Sequence, residues 1–177
     1  QGVFMKFISR FMRIFCGVLI LFSVAGAEEG HWKLIKSKDG IDTYRMKHPG
    51  TEVCTFKAVG FVYAKMETVG EVIRDIPAYP EWMAKFKKST ILKTIDRNTY
   101  IFHAVIKTPF PYQDRDMVVE NQTVYNLDNA SVRLSFRSAN HYNYPAQKDY
   151  FRMNELEGDY YLEYFGRDRT RVTYQCR

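Results

Sequence analysis

Residues that often carry catalysis occur in this chain of 177 residues, but their spacing assembles no reactive motif. The four histidines, His31, His48, His103 and His141, do not share the spacing of metal ligands. No serine, cysteine or aspartate stands in a nucleophile motif, and no glycine-rich loop could hold a phosphate. We therefore expect no metal and no cofactor, and the sequence favours binding over catalysis.

The segment Thr108–Asn121 combines a stiff apolar turn with two adjacent charges. Its prolines, Pro109 and Pro111, fix φ and lack a backbone N–H, so the turn cannot lie in the middle of a sheet. We interpret Arg115 and Asp116 as an ion pair that could bind the headgroup of a ligand. They could equally hold the loop to the strand and to neighbouring backbone, which is the commoner role of a charged pair away from a pocket floor.

A strand with two different faces follows these charges. Met117, Val119 and Asn121 fall on one face because successive side chains of a strand alternate. Val118 and Glu120 fall on the other face. Asn121 is therefore predicted to point inward among apolar neighbours. A buried amide needs hydrogen-bond partners, so Asn121 meets either a ligand or a buried neighbour.

The chain on both sides of this segment is rich in predicted strands. Asp39 and Gly40 stand between two apolar runs and predict a hairpin, and Val53–Val62 alternates as a third strand. From Ser89 onward, alternating segments separated by turns predict about six further strands. Successive hairpins imply that these strands pair in antiparallel fashion.

Two short helices are predicted between the third strand and Ser89. Apolar residues recur at helical spacing from Met66 to Ile76, and the proline after Ile76 ends that helix. A second helix begins near Tyr79, with Trp82 and Phe86 on one face. A sheet with one apolar face must cover that face, and two short helices cannot cover a large one. The predicted fold is therefore α+β, with an antiparallel sheet of about nine strands that encloses a cavity or lacks a covering element.

Residues 1–27 have the pattern of a secretory signal peptide preceded by a short extension. From Met5 the chain has a basic segment, the apolar core Ile14–Val24 and an Ala-Gly-Ala site. The apolar core has about a dozen residues, whereas a membrane-spanning helix needs about 20. We expect cleavage of this signal, which leaves a single domain at 28–177 in the periplasm or outside the cell.

Charge and cysteine content exclude some functions. The predicted signal contains Lys6, Arg10 and Arg13 and no acidic residue, so its removal lowers the formal net charge from +6 to +3. This charge is too small to indicate a nucleic-acid partner. Two cysteines remain, Cys54 and Cys176, and an exported protein could oxidise them.

Six short motifs follow one another along nearly the whole mature chain. They are Trp32 with Lys38–Ile41 and Tyr44; Phe56–Ala58; Tyr79–Trp82; Pro109–Pro111 with Arg115 and Asp116; Phe151–Met153; and Thr170 with Val172–Tyr174. In this order the motifs resemble the START family, the lipid-transfer domains of the helix-grip superfamily. The proline-rich turn before Arg-Asp is most similar to bacterial members.

The resemblance implies a curved antiparallel sheet wrapped around a long C-terminal helix, with an apolar ligand between them. It also implies that the last strand joins the first, which puts Cys54 about three strands, or roughly 14 Å, from Cys176. A disulfide needs Cα atoms within about 7 Å, so both thiols are expected free on the cavity side. The closing helix should follow a strand like Val172–Gln175, but the chain stops at Arg177. We therefore expect the domain to be C-terminally incomplete.

The resemblance also bears on the ligand. Some sterol-binding members pair an acidic residue with an arginine inside the cavity, and the corresponding positions here are Ala104 and Asn121. The loss of this ion pair disfavours a sterol. It favours a more apolar ligand, or one held by Asn121, His103 and tyrosine hydroxyls.

We therefore expect non-catalytic binding, and with it transfer, of a lipid or other hydrophobic molecule between the sheet and the helices. The expected cavity walls are Cys54, Phe56, Trp82, Tyr100, Phe102, Ala104, Met117, Val119, Asn121, Val132, Leu134 and Phe136. The expected gate is the loop Pro109, Phe110, Pro111 and Tyr112, whose Phe110 and Tyr112 open and close the mouth. The full-length protein is expected to be a monomer without a nucleic-acid partner, and transient membrane contact is compatible with its role.

Two alternatives remain open at the level of sequence. The first is an enzyme like the aromatic polyketide cyclases of the same superfamily, which fold a reactive chain in the cavity. Such an enzyme needs an inward acid or base, and Arg152 and Tyr174 are the weak candidates. The second is a sensor or assembly partner that holds its ligand only as a signal.

Overall fold

The computed structural model describes residues 30–177, so the predicted signal at residues 1–27 lies outside the described part. Its strands are β1 (Lys33–Lys38), β2 (Ile41–Lys47), β3 (Cys54–Val62), β4 (Phe86–Thr94), β5 (Thr99–Ile106), β6 (Arg115–Asn126), β7 (Ser131–Ser138), β8 (Phe151–Met153), β9 (Glu157–Tyr164) and β10 (Thr170–Cys176). Helices α1 (Met66–Arg74) and α2 (Tyr79–Trp82), with a 3-10 turn at Ile76–Ala78 between them, connect β3 to β4.

All the strands belong to one curved sheet. Its order is β1-β2-β3-β10-β9-β7-β6-β5-β4, and neighbours on this path are antiparallel. The short β8 pairs in parallel with the start of β6. This arrangement confirms the predicted α+β fold with two short helices after the third strand. The longest helix within residues 30–177 is the nine-residue α1, so no long closing helix covers this part of the sheet.

Turn chemistry explains why the first two strands pair as predicted. Asp39 and Gly40 both have positive φ, 54° and 75°, and Lys38 lies directly opposite Ile41. A two-residue turn with positive φ at both positions matches the right-handed twist of a hairpin. Glycine adopts this conformation without steric cost.

The main core lies between one face of the sheet, called here the inner face, and the helices. The inner face carries Phe102, Asn121, Leu134, Tyr160 and Val172, all of which are buried. Helix α1 turns Val69 and Ile73 toward this core. In the described part of the chain, no helix combines the length and apolar character needed to cross a membrane.

The opposite face of the sheet, called here the outer face, has a smaller core of its own. Ile101, Val118 and Ala139 form it, and Tyr142 and Tyr144 from the loop between β7 and β8 pack against them. This loop therefore covers β5 and β6 from outside. These two strands are buried on both faces, which explains why nearly every residue of β5 is buried.

The predicted shared helical face of Trp82 and Phe86 is wrong. Helix α2 ends at Trp82, Lys85 adopts a positive φ of 69°, and Phe86 is already the first residue of β4. The reversal at Lys85 ends the helical path and starts the strand three residues before the predicted Ser89. Trp82 and Phe86 nevertheless both contact the ring of Tyr79, at centroid distances of 5.3 and 5.5 Å.

The expected separation of the two cysteines is also wrong. Strand β10 lies beside β3 rather than β1, and Cys176 stands opposite Phe56. Cys54 is therefore two positions along the neighbouring strand, a diagonal separation of about 7–8 Å. Both cysteines are free and partly buried.

Candidate functional site

A cavity of about 200 Å³ lies between the inner face and the helical segment. Its lining is almost wholly apolar or aromatic. The lining residues are Tyr79, Met83, Ala84, Phe86, Phe102, Ile106, Met117, Val119, Asn121, Phe136, Met153, Leu156, Tyr160, Tyr174 and Cys176. Such a surface can remove hydrocarbon from water but offers few groups for chemistry.

Burial along the strands shows which end of the cavity is open. Among the lining residues, Phe136 and Cys176 are half-buried, and so is a cluster of five residues that form the mouth: Ala84, Phe86, Ile106, Met153 and Leu156. They lie at the start of β4, the end of β5 and the β8–β9 connection. The cavity therefore opens at the edge where β5 ends and β6 begins.

The inner end of the cavity is formed by buried residues farther along the same strands. Asn121 lies four residues beyond Met117 on β6, and Tyr160 and Tyr174 face each other on β9 and β10. All of these side chains are at most 7% exposed. The cavity thus runs from a half-exposed apolar mouth to a buried end that contains an amide and phenol groups.

Aromatic rings form the floor. The rings of Phe136 and Tyr174 are stacked at 5.9 Å with an interplanar angle of 19°, and Tyr160 lies 4.7 Å from Tyr174. Gly158 makes this arrangement possible. A Cβ at this position would collide with the carbonyl oxygen of Gln175 and lie 2.5 Å from the Phe136 ring. The floor therefore depends on a position where any side chain would displace either the ring or the backbone of β10.

Polar atoms at the inner end lack partners. Oδ1 of Asn121 and the hydroxyls of Tyr160 and Tyr100 make no hydrogen bond within the described residues. Tyr79, by contrast, donates its hydroxyl to the carbonyl oxygen of Ile73 at 2.7 Å. Burial raises the pKa of Tyr100 to about 12 and also raises the pKa of Tyr160. These phenols are therefore neutral at physiological pH.

The loop between β5 and β6 begins directly after Ile106, which lines the mouth of the cavity. The carboxylate of Asp114 closes its base by accepting hydrogen bonds from the backbone N–H of Thr108 at 2.8 Å and from Lys87 at 2.6 Å. The hydrogen bond from Lys87 lowers the pKa of Asp114. Phe110 and Tyr112 at the tip are 96% and 70% exposed. Two aromatic side chains are thus held in solvent beside the cavity.

The outer face contains a buried charge network. Asp116 is fully buried and accepts hydrogen bonds from Nε and Nη2 of Arg152, at 3.0 and 2.8 Å, while Nε2 of His103 lies 3.0 Å away. Burial alone would raise the pKa of Asp116. The hydrogen bonds from Arg152 and His103 outweigh it, so the pKa is lowered. The network binds β8 to the start of β6.

The same network holds the outer loop in place. Arg152 donates to the carbonyl oxygens of Tyr144 and Pro145, and the ring of Tyr144 lies 4.8 Å from that of His103. The backbone N–H of Ala139 donates to the carbonyl oxygen of Val118. Every charged group of this network has a protein partner, so its evident role is structural.

The structure corrects the interpretation of Arg115 and Asp116 as an ion pair. Neighbouring residues of a strand point to opposite faces. Asp116 is buried and pairs with Arg152, whereas Arg115 is exposed and lies 5.9 Å from the ring of Phe151. His103, which was one of the side chains that could have held a ligand, is packed on the face opposite Ala104 and belongs to this outer-face network, not to the cavity.

The predicted cavity walls divide into three groups. Those that line the cavity are Phe102, Met117, Val119, Asn121 and Phe136. Those buried in the surrounding core without lining it are Trp82, Tyr100, Ala104, Val132 and Leu134. Cys54 and Phe56 are partly buried on β3, outside the lining. The predicted gate residues Pro109, Phe110, Pro111 and Tyr112 are all exposed, and none of them lines the cavity.

Several lining residues were absent from the sequence prediction. Tyr160 could have been found, because alternation along β9 puts it on the inner face with Leu162. Tyr174 and Cys176 were not among the predicted walls, although the Cys176 thiol was expected on the cavity side. Met153 and Leu156 had no such signal, since β8 pairs across a long connection. Of the two weak catalytic candidates, Tyr174 lines the cavity and Arg152 is held by Asp116 on the outer face.

Comparison with known proteins identifies the family. The family model of the START domain matches residues 16–177, which is most of the chain. The chain belongs to the START domain family. The match begins inside the segment predicted as a signal peptide. No group of three metal-ligating side chains occurs among residues 30–177 of this START domain.

Relatives and solved structures resemble the START domain over most of its length. An uncharacterized protein of Pseudomonas aeruginosa is 27% identical over 156 residues, covering 88% of this chain and 76% of that protein. A STAR-related lipid transfer protein from Xanthomonas axonopodis has a TM-score of 0.76 at 24% identity, covering 82% of this chain and 80% of that one. The lipid transfer and protein localization domain of human StarD13 has a TM-score of 0.69 at 25% identity, covering 83% and 74%. The START fold supports binding of a lipid or other hydrophobic ligand.

Proposed function

We propose that this START domain binds a lipid or another hydrophobic molecule in its cavity and carries it without chemical change. The observation that carries the proposal is an apolar cavity with a half-exposed mouth and a buried inner end. Burial of apolar ligand surface contributes about 25 cal/mol per Å². The similar proteins from Xanthomonas axonopodis and humans are named for lipid transfer, which agrees with this role.

Binding can be tested with a variant that narrows the mouth. Ala84 is half-buried at the mouth, so Ala84→Trp should reduce ligand uptake without disturbing the core. Ala146→Trp is the matched control, because Ala146 is exposed on the outer loop. We expect organic extraction and mass spectrometry of the purified protein to recover a lipid from the parent and from Ala146→Trp.

If the parent protein contains no lipid after purification and takes up none from mixed-lipid vesicles after delipidation, the cavity is not a ligand site. If Ala84→Trp retains as much ligand as Ala146→Trp, the ligand binds elsewhere on the protein.

We further propose that the loop at Phe110 acts as a gate and makes transient contact with a membrane during transfer. Exposed aromatic side chains suit the membrane–water interface, and the fixed base at Asp114 holds them beside the mouth. Phe110→Ala should slow the movement of a fluorescent lipid between vesicles. Leu127→Ala is the control, because Leu127 is 91% exposed but lies at the turn between β6 and β7. Equal transfer rates for the two variants would contradict the proposed role of this loop as a gate.

Export remains a proposal that rests on the N-terminal sequence alone. Cleavage near residue 27 should give a mature protein that begins close to Glu28, in the periplasm or outside the cell. Cell fractionation followed by mass measurement of the intact protein tests this, and an uncleaved cytoplasmic protein would contradict it. Size-exclusion chromatography with light scattering tests the proposed monomeric state of the full-length protein.

A further inference from the structure

We propose that the end of the sheet opposite the mouth docks on a membrane surface that contains anionic lipids. The docking surface, called here the turn end, consists of Phe61, Tyr63, Phe165, Arg167 and Arg169. It contains no residue of the cavity lining or of the gate loop, so the proposal goes beyond the proposed function and does not depend on it. Three observations carry it: an arginine without a counter-charge, exposed aromatic rings, and an excess of positive charge.

The turn end lies at the far end of the strands that form the mouth. The seven residues of β10 run from Thr170, beside the turn end, to Cys176 in the cavity lining. This strand is about 20 Å long at the usual rise per residue. Backbone hydrogen bonds then join Arg177 to Glu157, which follows the mouth residue Leu156. A membrane at the turn end therefore leaves the mouth on the opposite side of the domain.

Arg169 is a cation that aromatic rings hold in place. Its guanidinium lies 4.0 Å from the ring centre of Phe61, 5.0 Å from that of Phe165 and 5.6 Å from that of Tyr63. The face of a ring attracts a cation but does not replace the in-plane oxygen acceptors that a guanidinium prefers. The phosphate group of a lipid can accept two parallel hydrogen bonds from an arginine.

Arg169 differs in this respect from another ring-bound arginine of the outer face. The guanidinium of Arg133 lies 4.9 Å from the ring of Tyr161, but it also pairs with Asp159 at 3.1 Å. Arg169 has no ion pair with any carboxylate among residues 30–177. Its charge is therefore open to an anion from outside the described chain.

Backbone hydrogen bonds fix the turn that carries Arg169. The N–H of Phe165 donates to the carbonyl oxygen of Arg169 at 3.0 Å, and the N–H of Arg169 donates to that of Gly166 at 3.3 Å. The hydroxyl of Thr170 donates to the carbonyl oxygen of Ala64 at 2.8 Å, which joins the turn to the connection after β3. The rings and the guanidinium are thus arranged before a partner arrives, so docking has little ordering to bring about.

Two aromatic side chains at the turn end are open to solvent. Tyr63 follows the last residue of β3 and is 74% exposed, and Phe165 follows the last residue of β9 and is 53% exposed. Rings beside basic groups suit the membrane–water interface, where the rings enter the headgroup region and the cations meet anionic lipids. A membrane surface uses both properties at once, whereas a free phosphate ion uses only the charge.

Positive charge is in excess around the turn end. Arg171 pairs with Glu163 at 3.3 Å, and its charge also lowers the pKa of Lys57, after the larger effect of burial. The basic residues around the turn are Lys65, Arg167, Arg169 and Arg171, against the acidic Glu163 and Asp168. An anionic lipid surface relieves the repulsion among these cations, which makes it the favoured partner.

Flotation of the purified protein with lipid vesicles tests the proposal. We expect binding to vesicles of equal parts phosphatidylcholine and phosphatidylglycerol to exceed binding to phosphatidylcholine alone and to weaken with added salt. Arg169→Gln should lower the affinity for the mixed vesicles about fivefold. Arg133→Gln is the matched control, because it removes the same charge from a ring-bound arginine that already has a carboxylate partner. Equal affinities of these two variants, or equal binding of the parent to both kinds of vesicle, would overturn the proposal.

Further variants separate the role of the rings from that of the charge. Tyr63→Ala should weaken binding to the mixed vesicles about threefold, whereas Leu34→Ala should not, because Leu34 is 51% exposed on β1. If Arg169→Gln does not fold, the exposed Arg167 of the same turn gives the variant Arg167→Gln, for which we expect a loss in the same direction. Binding of polyglutamate that depends on Arg169, without binding to the mixed vesicles, would mean that the partner is an acidic protein and that the membrane proposal is wrong.

Discussion

The inner and outer faces of β5 and β6 both bury polar groups but leave them in different states. On the outer face, Asp116 has two hydrogen bonds from Arg152 and a contact with His103. On the inner face, Asn121 Oδ1 has no partner among the described residues. The two side chains are five residues apart on one strand.

This difference separates a structural role from a binding role. A buried charge must be paired within the protein, because its desolvation would otherwise exceed what the fold can tolerate. A buried neutral amide can remain open at a smaller cost, and a ligand can supply the missing bond. Paired polar groups here therefore stabilise the fold, whereas the unpaired oxygen of Asn121 adds no such stability. Four experiments test how the two faces contribute to stability.

The largest change in the free energy of unfolding is expected when the outer-face charge of Asp116 is removed. Asp116→Ala leaves Arg152 without its partner, and we expect the free energy of unfolding to fall by about 3–5 kcal/mol. Urea unfolding followed by circular dichroism measures this. Glu163→Ala is the control on the outer face of β9, because Glu163 and its partner Arg171 are 33% and 44% exposed. That substitution should cost less than about 1 kcal/mol.

If Asp116→Ala does not fold, its free energy of unfolding cannot be measured. A variant in which the whole network is replaced by apolar side chains then tests the role of the network. Replacing Asp116, Arg152 and His103 together by leucine, methionine and phenylalanine should restore much of the lost stability, because no charge is then left unpaired. A loss below about 1 kcal/mol for Asp116→Ala would contradict the structural role of the network.

The next largest effect concerns the cavity floor. Gly158→Ala should lower the free energy of unfolding by about 1–3 kcal/mol, because its Cβ collides with the backbone of β10 and with Phe136. Gly70→Ala is the control. A Cβ at Gly70 meets only Leu162 at 3.8 Å, and alanine favours the helix by about 1 kcal/mol. Equal thermal melting temperatures of the two variants would contradict the close packing of the floor.

A smaller effect should appear in the pH dependence of stability. Because the folded pKa of Asp116 is lowered, its contribution is present above its unfolded pKa of about 3.9 and is lost as pH falls through the folded value. Asp116→Asn should therefore flatten the acid limb of the curve of unfolding free energy against pH. Asp159→Asn should not flatten it, because burial raises the pKa of Asp159. Identical acid limbs for Asp116→Asn and the parent would show that the carboxylate contributes no such stability.

The smallest effect is expected on the inner face. Asn121→Leu removes an unpaired acceptor from an apolar site, so the free energy of unfolding should stay constant or rise by up to about 1 kcal/mol. Chemical unfolding of the delipidated protein measures this. A loss of more than about 2 kcal/mol would mean that Asn121 has a structural partner, and the contrast between the two faces would then fail.

Local patterns were sufficient to predict the sheet and the faces of its strands. Alternation along β6 correctly separated Met117, Val119 and Asn121 from Val118 and Glu120, because side-chain direction in a strand depends only on parity. The Asp39-Gly40 turn was also predictable from local sequence, because its conformation is set by these two residues alone. These features need no knowledge of distant parts of the chain.

Features that depend on distant contacts were not predicted. Asp116 meets Arg152 across 36 residues, through the parallel pairing of β8 with β6, and alternation contains no information on that pairing. The place of β10 beside β3 likewise depends on the whole sheet. The early start of β4 depends on one positive φ, at Lys85, a residue type that rarely adopts it.

The position of β10 in the sheet matters while the chain is being synthesised. This strand follows all the other described strands in sequence, yet it pairs with β3 on one side and β9 on the other. During synthesis, β3 and β9 therefore each present an open edge until the chain has been made beyond Thr170. A chain shortened before this point would keep two unpaired sheet edges, which are sites of aggregation. The last strand thus joins the two halves of the sheet and also protects them from association with other chains.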